Sequence, residues 1–249
     1  MHARSHALVL WMALAAPLAA QQDDGKRPPE AAPAQADPAP AAPAKDDPVV
    51  RGVPHFPLEP GRRWQYQVQF SIDPAGGEET PSERTPHTLD VYVVDPQPLG
   101  DARVAVVEWS LDRELSQRDF YTVGPNGVGC VKRIQGFGEH MKEYLLTPAQ
   151  VVAREGMAAG QEWRWEGKVN GVAGVQTFKV LREETIETPA GSFNALVLEV
   201  QFEGDDDSRG WKRLWLAAGV GLVKDESEVR TAGAVFRTEG VLTRFEAPK

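Results

Sequence analysis

The run Trp64-Gln65-Tyr66-Gln67-Val68-Gln69-Phe70 alternates a large apolar side chain with glutamine without a break. Successive side chains of an extended chain point to opposite faces, so this run reads as a strand with one dry face and one wet face. Leu89, Val91 and Val93 alternate in the next run, and Ala105, Val107, Trp109 and Leu111 in the one after. Leu196, Leu198, Val200 and Phe202 repeat the pattern late in the chain, with Glu199 and Gln201 between them. Turn formers separate these runs: Asp73-Pro74-Ala75-Gly76-Gly77, Gly124-Pro125-Asn126-Gly127, Pro189-Ala190-Gly191 and Gly204-Asp205-Asp206-Asp207. Strands at this spacing with turn residues between them predict an all-β, mainly antiparallel meander.

Composition bounds what such a domain can do. The chain has 249 residues, 27 Lys and Arg against 36 Asp and Glu, a net charge of −9 and one Cys. A single Cys forms no internal disulfide and no Cys-based zinc site. The acidic balance argues against nucleic acid, where basic side chains supply most of the affinity.

The N-terminus reads as an address followed by a tether. Arg4 precedes the apolar stretch Ala7 to Ala16, and Ala19 and Ala20 are small residues before the polar Gln21. This is the layout of a signal peptide over residues 1–20. The apolar stretch is shorter than the roughly 20 residues a membrane-spanning helix needs. No Cys stands at the cut to carry a lipid anchor. Residues 21–50 hold seven Pro and eight Ala and no aromatic side chain. Such a segment cannot offset its ordering entropy by burial, and it predicts a disordered, extended linker. The β domain is expected over 51–249, and the mature chain is expected to be periplasmic or extracellular.

Two motifs occur twice within that domain. Gly61-Arg62-Arg63-Trp64-Gln65-Tyr66 is echoed by Gly160-Gln161-Glu162-Trp163-Arg164-Trp165. Gly127-Val128-Gly129-Cys130-Val131-Lys132 is echoed by Gly219-Val220-Gly221-Leu222-Val223-Lys224. The order is the same and the spacing nearly so. This predicts two pseudo-repeats, about 56–146 and 157–246, forming a curved half-barrel-like sheet or a two-layer sandwich. Between them, Thr147-Pro148-Ala149-Gln150 has the form of a capping box with Pro at the first helical position, and Gly156 suits a stop. One short linking helix is expected there.

The string Glu184-Thr185-Ile186-Glu187-Thr188-Pro189-Ala190-Gly191-Ser192-Phe193, followed by Trp215-Leu216-Ala217-Ala218-Gly219-Val220-Gly221-Leu222-Val223-Lys224, resembles secreted bacterial proteins of the DUF3108-like domain of unknown function. The opening Phe56-Pro57-Leu58-Glu59-Pro60-Gly61-Arg62-Arg63-Trp64-Gln65-Tyr66 is similar to theirs. The resemblance implies an exported β fold and brings no catalytic residue with it. Its motifs are turn and packing residues, and the segment Thr147 to Ala159 departs from the pattern.

Residues that carry chemistry are sparse. Outside the signal-like segment the histidines are His55, His87 and His140, and neither G-x-S-x-G, H-E-x-x-H nor C-x-x-C occurs. Cys130 takes the slot that Leu222 fills in the other half and is expected to pack as a small hydrophobe. Asp205 and Asp207 at an acidic turn are weak calcium candidates without EF-hand spacing. Glu108, Glu183, Glu184 and Glu187 are candidates by type for a glycosidase-like carboxylate pair. Trp64, Tyr66, Trp109, Trp163, Trp165, Trp211 and Trp215 are many large rings, and Trp64 and Trp163, each following a matched glycine, are expected in the core. Trp211, Arg213 and Trp215 alternate with Leu214 and Leu216. If the leucines are core, the Trp pair with Arg213 faces a surface or cleft, which makes these three the expected ligand site.

The expectation is therefore an exported, non-catalytic β protein with no cofactor, binding an apolar ligand, a glycan or a protein segment at the cell envelope. A carboxylate-dependent hydrolase and a purely structural envelope protein are the alternatives.

Overall fold

The computed structural model describes residues 50–74, 85–204 and 208–248. The expected signal peptide, nearly all of the linker, and the calcium candidates Asp205 and Asp207 lie outside the described residues. The strands are β1 (Gly52–Val53), β2 (Phe56–Pro57), β3 (Arg63–Pro74), β4 (His87–Leu99), β5 (Ala102–Leu111), β6 (Glu114–Gly124), β7 (Gly127–Gln135), β8 (Lys142–Ala153), β9 (Glu162–Val169), β10 (Val172–Thr188), β11 (Gly191–Gly204), β12 (Arg209–Ala217), β13 (Gly221–Arg230) and β14 (Ala234–Glu246). The helical content among the described residues is one 3₁₀ turn, Gly138–His140. The all-β reading holds.

The linking helix does not. Residues 142–153 form β8, whose Tyr144, Leu146, Gln150, Val152 and Ala153 are buried. The local Thr-Pro-Ala-Gln signal is overridden because this segment lies beside β7, and the ladder there slips between Cys130 and Lys132. Pro148 sits in that irregular stretch, where a missing N–H costs no ladder bond. Since β8 runs through Ala153, the first group of strands also ends later than the expected residue 146.

Neither the half-barrel nor the sandwich forms. Strands β3 to β14 pair in chain order and close into a barrel of twelve strands. Closure comes from two junctions that have no partner within one half. β14 pairs with β3 along its whole length, from Ala234 opposite Pro74 to Glu246 opposite Arg63. β8 meets β9 at just two positions, Leu146 opposite Val169 and Thr147 opposite Lys168. Two exposed sheet edges would invite pairing with other chains, and closing the ring removes them.

One large apolar cluster fills the interior. It includes Trp64, Tyr66 and Val68 of β3, Leu89, Val91 and Val93 of β4, Trp163 and Trp165 of β9, Phe178 of β10, Leu196 and Leu198 of β11, and Leu214 of β12. Trp64 and Trp163 are thus core residues, as the sequence predicts. The β1–β2 hairpin crosses this interior: β1 touches β7 and β2 touches β13, strands that stand opposite each other in the ring. Val53 and Leu58 are buried there, and Phe56 meets Tyr121 edge to face with centroids 5.2 Å apart.

The repeated motifs fall at matching places. G-x-x-W opens β3 and β9, the first strand of each set of six, and G-V-G-x-V-K lies at the start of β7 and β13, the fifth. Gly61 has φ +91° and Gly160 +87°, conformations open to glycine. The Gly61 N–H donates to Val93 O at 2.9 Å and the Val93 N–H to Arg62 O at 3.1 Å. In the other half, Gly160 N–H donates to Val180 O at 2.8 Å and Val180 N–H to Gln161 O at 2.9 Å. The second motif is not in strict step, because β7 begins at Gly127 and β13 at Gly221.

Candidate functional site

Cross-strand partners share a face of a sheet, so the ladder registers define rows on the outer surface of β9 to β13. One row runs Arg164, Thr177, Gln201, Trp211, Glu228. A second row beside it runs Glu166, Val175, Glu203, Arg209, Arg230, and a third holds Glu199 and Arg213. The interior side chains of these strands alternate with them, which is why hydrophobic Trp163, Phe178 and Leu198 do not interrupt the rows. These three rows, Glu166 apart, line an open groove of about 600 Å³, within the usual range for a small-molecule site.

Trp211 stands fourth of the five in the first row and is half-buried. The Arg213 guanidinium lies 5.1 Å from its ring centre, a cation–π contact that holds the indole in place. Arg213 is held in turn by Glu199, Nε to Oε2 at 2.9 Å. Gln201 donates to the other Glu199 oxygen at 3.0 Å. Glu228 accepts from Arg230 at 2.7 Å and from Arg237 at 2.9 Å. Burial pushes the Glu228 carboxyl up, but the two arginine bonds outweigh it and hold it below its ordinary value. Gly210, next to Trp211, allows close approach: a Cβ there would stand 2.3 Å from Glu228 O and 2.6 Å from the Phe202 ring.

Of the three expected site residues, the structure brings Trp211 and Arg213 into this groove and withdraws Trp215. Trp215 is 5% exposed, its Nε1 donates to Glu184, and Lys224 lies 4.8 Å from its ring centre. The expectation that Trp215 is exposed fails, because the outer face of β12 is itself covered at that end. Val197, its cross-strand partner, is fully buried on the same face. Period two correctly separates the Leu face from the Trp face but is blind to which end of the strand is covered.

The first half shows the same packing. On β5 and β6, Glu108 pairs with Arg118 at 2.7 Å as Glu199 does with Arg213. Two residues beyond each arginine stands a buried aromatic, Phe120 or Trp215, opposite a buried valine, Val106 or Val197. Lys132 covers Phe120 at 4.8 Å as Lys224 covers Trp215. Beyond that the halves differ: a bulge at Ser116 puts Leu115 opposite Ser110 in the first, where Trp211 stands opposite Gln201 in the second.

The other sequence candidates do not assemble with the groove. Glu108 sits on β5, while Glu183, Glu184 and Glu187 sit on β10, and Glu184 accepts from Arg182 and Trp215. Cys130 is fully buried, and burial pushes its thiol up to about 12. No cluster of three metal-ligating side chains occurs among the described residues. Sequence reasoning missed a buried polar network on β6 and β7. The Asp119 carboxylate accepts from Gln117 at 2.7 Å, Tyr121 at 3.0 Å and Arg133 at 2.6 and 3.2 Å. No pattern signals it, since an Arg within a strand reads as outward-facing. An apolar pocket between the β1–β2 hairpin and Trp64, Tyr66 and Trp109 measures only about 50 Å³.

The chain is thus a closed meander barrel with an apolar interior and a polar outer groove. Residues 166–231, from β9 to β13, match the family model described as DUF3108-like, which bears out the resemblance read from the sequence. No curated protein matches. Three solved structures resemble the fold loosely. A candidate lipoprotein from Parabacteroides distasonis is 14% identical with a TM-score of 0.37, over 79% of this chain and 99% of its own. A candidate exported protein with a YmcC-like fold from Bacteroides fragilis is 14% identical with a TM-score of 0.38, over 77% and 98%. The hypothetical lipoprotein YmcC from Escherichia coli is 10% identical with a TM-score of 0.33, over 75% and 86%.

Proposed function

We propose that this chain is an exported, non-catalytic binding protein whose ligand lies in the groove across β9 to β13. The observation that carries this reading is Trp211, a large ring left partly exposed in a groove most of whose charged side chains are held by one another. An aromatic platform with a few fixed polar groups is the usual make-up of a small-ligand site. The signal-like residues 1–20 and the Pro/Ala-rich stretch after them support export and a tethered domain. A barrel that spans lipid wears apolar side chains outside, whereas this one carries Arg and Glu on the outer rows of β9 to β13 and its main apolar cluster within. An apolar ligand is disfavoured at the hairpin, since the apolar pocket there, about 50 Å³, is far smaller than a usual ligand pocket.

The same reading takes β3 to β8 and β9 to β14 as two copies of one six-stranded unit. It is supported by the matched Gly–Val hydrogen bonds and by the paired Lys132–Phe120 and Lys224–Trp215 contacts.

Extraction of protein purified from its native envelope tests the reading. Mass spectrometry should find a co-purifying small molecule that Trp211→Ala loses while keeping its melting temperature. Recovery of the same molecule from the variant would sink the proposal.

A further inference from the structure

The groove's charges point to the class of ligand, an inference that rests on the groove being the binding site. Its lining holds four arginines against three glutamates, and most of them are paired. Glu199 holds Arg213 at 2.9 Å, Glu228 holds Arg230 at 2.7 Å, and Arg164 pairs with Glu166 at 3.2 Å. Glu203 stands directly opposite Arg209 in the ladder. A site built for an anion or a cation leaves charge of one sign unmatched to meet it. Here the pairs leave planar donors and planar acceptors side by side, fixed near an indole.

That is the chemistry of an uncharged polyhydroxylated chain. The C–H face of a pyranose ring is apolar and packs on an aromatic plane. Its hydroxyls each donate and accept, and Arg, Glu and Gln side chains supply both partners in fixed directions. The row Arg164, Thr177, Gln201, Trp211, Glu228 crosses five strands, which at strand spacing is roughly 19 Å, long enough for several linked rings. Trp211 is also surplus to the packing of its half. The aromatic that seals the outer face is Trp215, as Phe120 is in the first half. We propose that the groove binds a neutral oligosaccharide lying across β9 to β13, with one ring stacked on Trp211.

The test is calorimetric and fluorescence titration of the mature chain with cellohexaose, maltohexaose, chitohexaose and hexagalacturonate. At least one neutral hexamer should bind saturably, more tightly than the acidic one. Its affinity should change less than about twofold between low salt and about 0.5 M NaCl, because no net charge is being neutralised. Trp211→Ala should weaken it more than about tenfold and Trp211→Phe much less, since a phenyl ring keeps a stacking face. Tighter, salt-sensitive binding of hexagalacturonate would overturn neutrality while leaving the groove as the site. Silence of all four probes, with a non-saccharide ligand recovered from the native protein, would overturn the saccharide and spare the binding reading. Silence with nothing recovered would remove both.

Discussion

The Lys224 ammonium lies 4.8 Å from the centre of the Trp215 ring, and Lys132 stands at the same distance from Phe120. Both lysines end a G-V-G-x-V-K motif, and both aromatics face outward on the fourth strand of their half. The motif's lysine therefore has a packing role: its aliphatic stem and charge cover a ring that would otherwise be bare on the barrel surface. This divides the tryptophans of β12 into one that seals the sheet and one that lines the groove.

That division sets the first expectation. Trp215→Ala removes a buried ring and its hydrogen bond to Glu184 and should cost about 3–5 kcal/mol. Trp211→Ala removes a partly exposed ring and should cost about 1 kcal/mol or less. Urea unfolding of the two variants compares them, and equal losses would make Trp211 a packing residue.

The β8–β9 junction is the weakest closure of the ring. Besides its two ladder pairs it is bridged by indoles: Trp163 Nε1 donates to Val151 O at 2.9 Å and Trp165 Nε1 to Pro148 O at 3.0 Å. Trp163→Phe keeps most of the apolar bulk and deletes one bridge. It should speed amide exchange in residues 148–153 and 162–167 at least about tenfold, a loss of roughly 1.4 kcal/mol of local protection. The β10–β11 ladder should stay protected. Unchanged exchange in β8 would show that the indole bonds do not hold the seam.

Asp119 and Arg133 are each 1% exposed and bonded at 2.6 Å. Removing one partner strands a buried charge, so Asp119→Ala should cost about 3–5 kcal/mol. Replacing both by Leu and Met should recover a large share of that loss, as thermal melts of the single and double variants would reveal. A double variant no better than Asp119→Ala would mean the pair is not an isolated electrostatic unit.

Glu228 supplies a pH dependence. Its folded-state pKa lies below its ordinary 4.5, so the carboxylate stabilises the fold above about pH 4.5. That contribution is lost as pH falls through the folded value. Arg237→Gln removes one of the two donors, raises the carboxyl toward normal and should flatten the fall in stability on acidification. Stability curves of equal slope for the variant and the parent would count against it.

The β class and the core were legible residue by residue. Trp64, Tyr66, Val68, Leu89, Val91 and Val93 are buried where period two places them, because alternation reflects a local property of the extended chain. The false helix at Thr147 shows the limit of such signals. A capping box is favourable only if the following residues turn, and here burying Leu146, Gln150, Val152 and Ala153 beside β7 prevailed. Half of the site was legible in the same way: Trp211 and Arg213 share a face by spacing alone. Their partners Arg164, Thr177 and Glu228 could not be found, because each comes from a different strand and meets them through ladder registers that bulges shift.

Closure of the barrel was beyond reach of any local pattern. Whether β14 finds β3 depends on the summed twist of twelve strands and on which edge is left unpaired, quantities with no trace in a short window. The same holds for Trp215 and for the Asp119–Arg133 pair. Alternation tells a residue's face, but whether that face meets water depends on neighbours far along the chain. Strand identity, the dry faces and the repeated motifs are thus written in consecutive residues. Closure, the covered end of β12 and the groove exist only where distant strands come side by side.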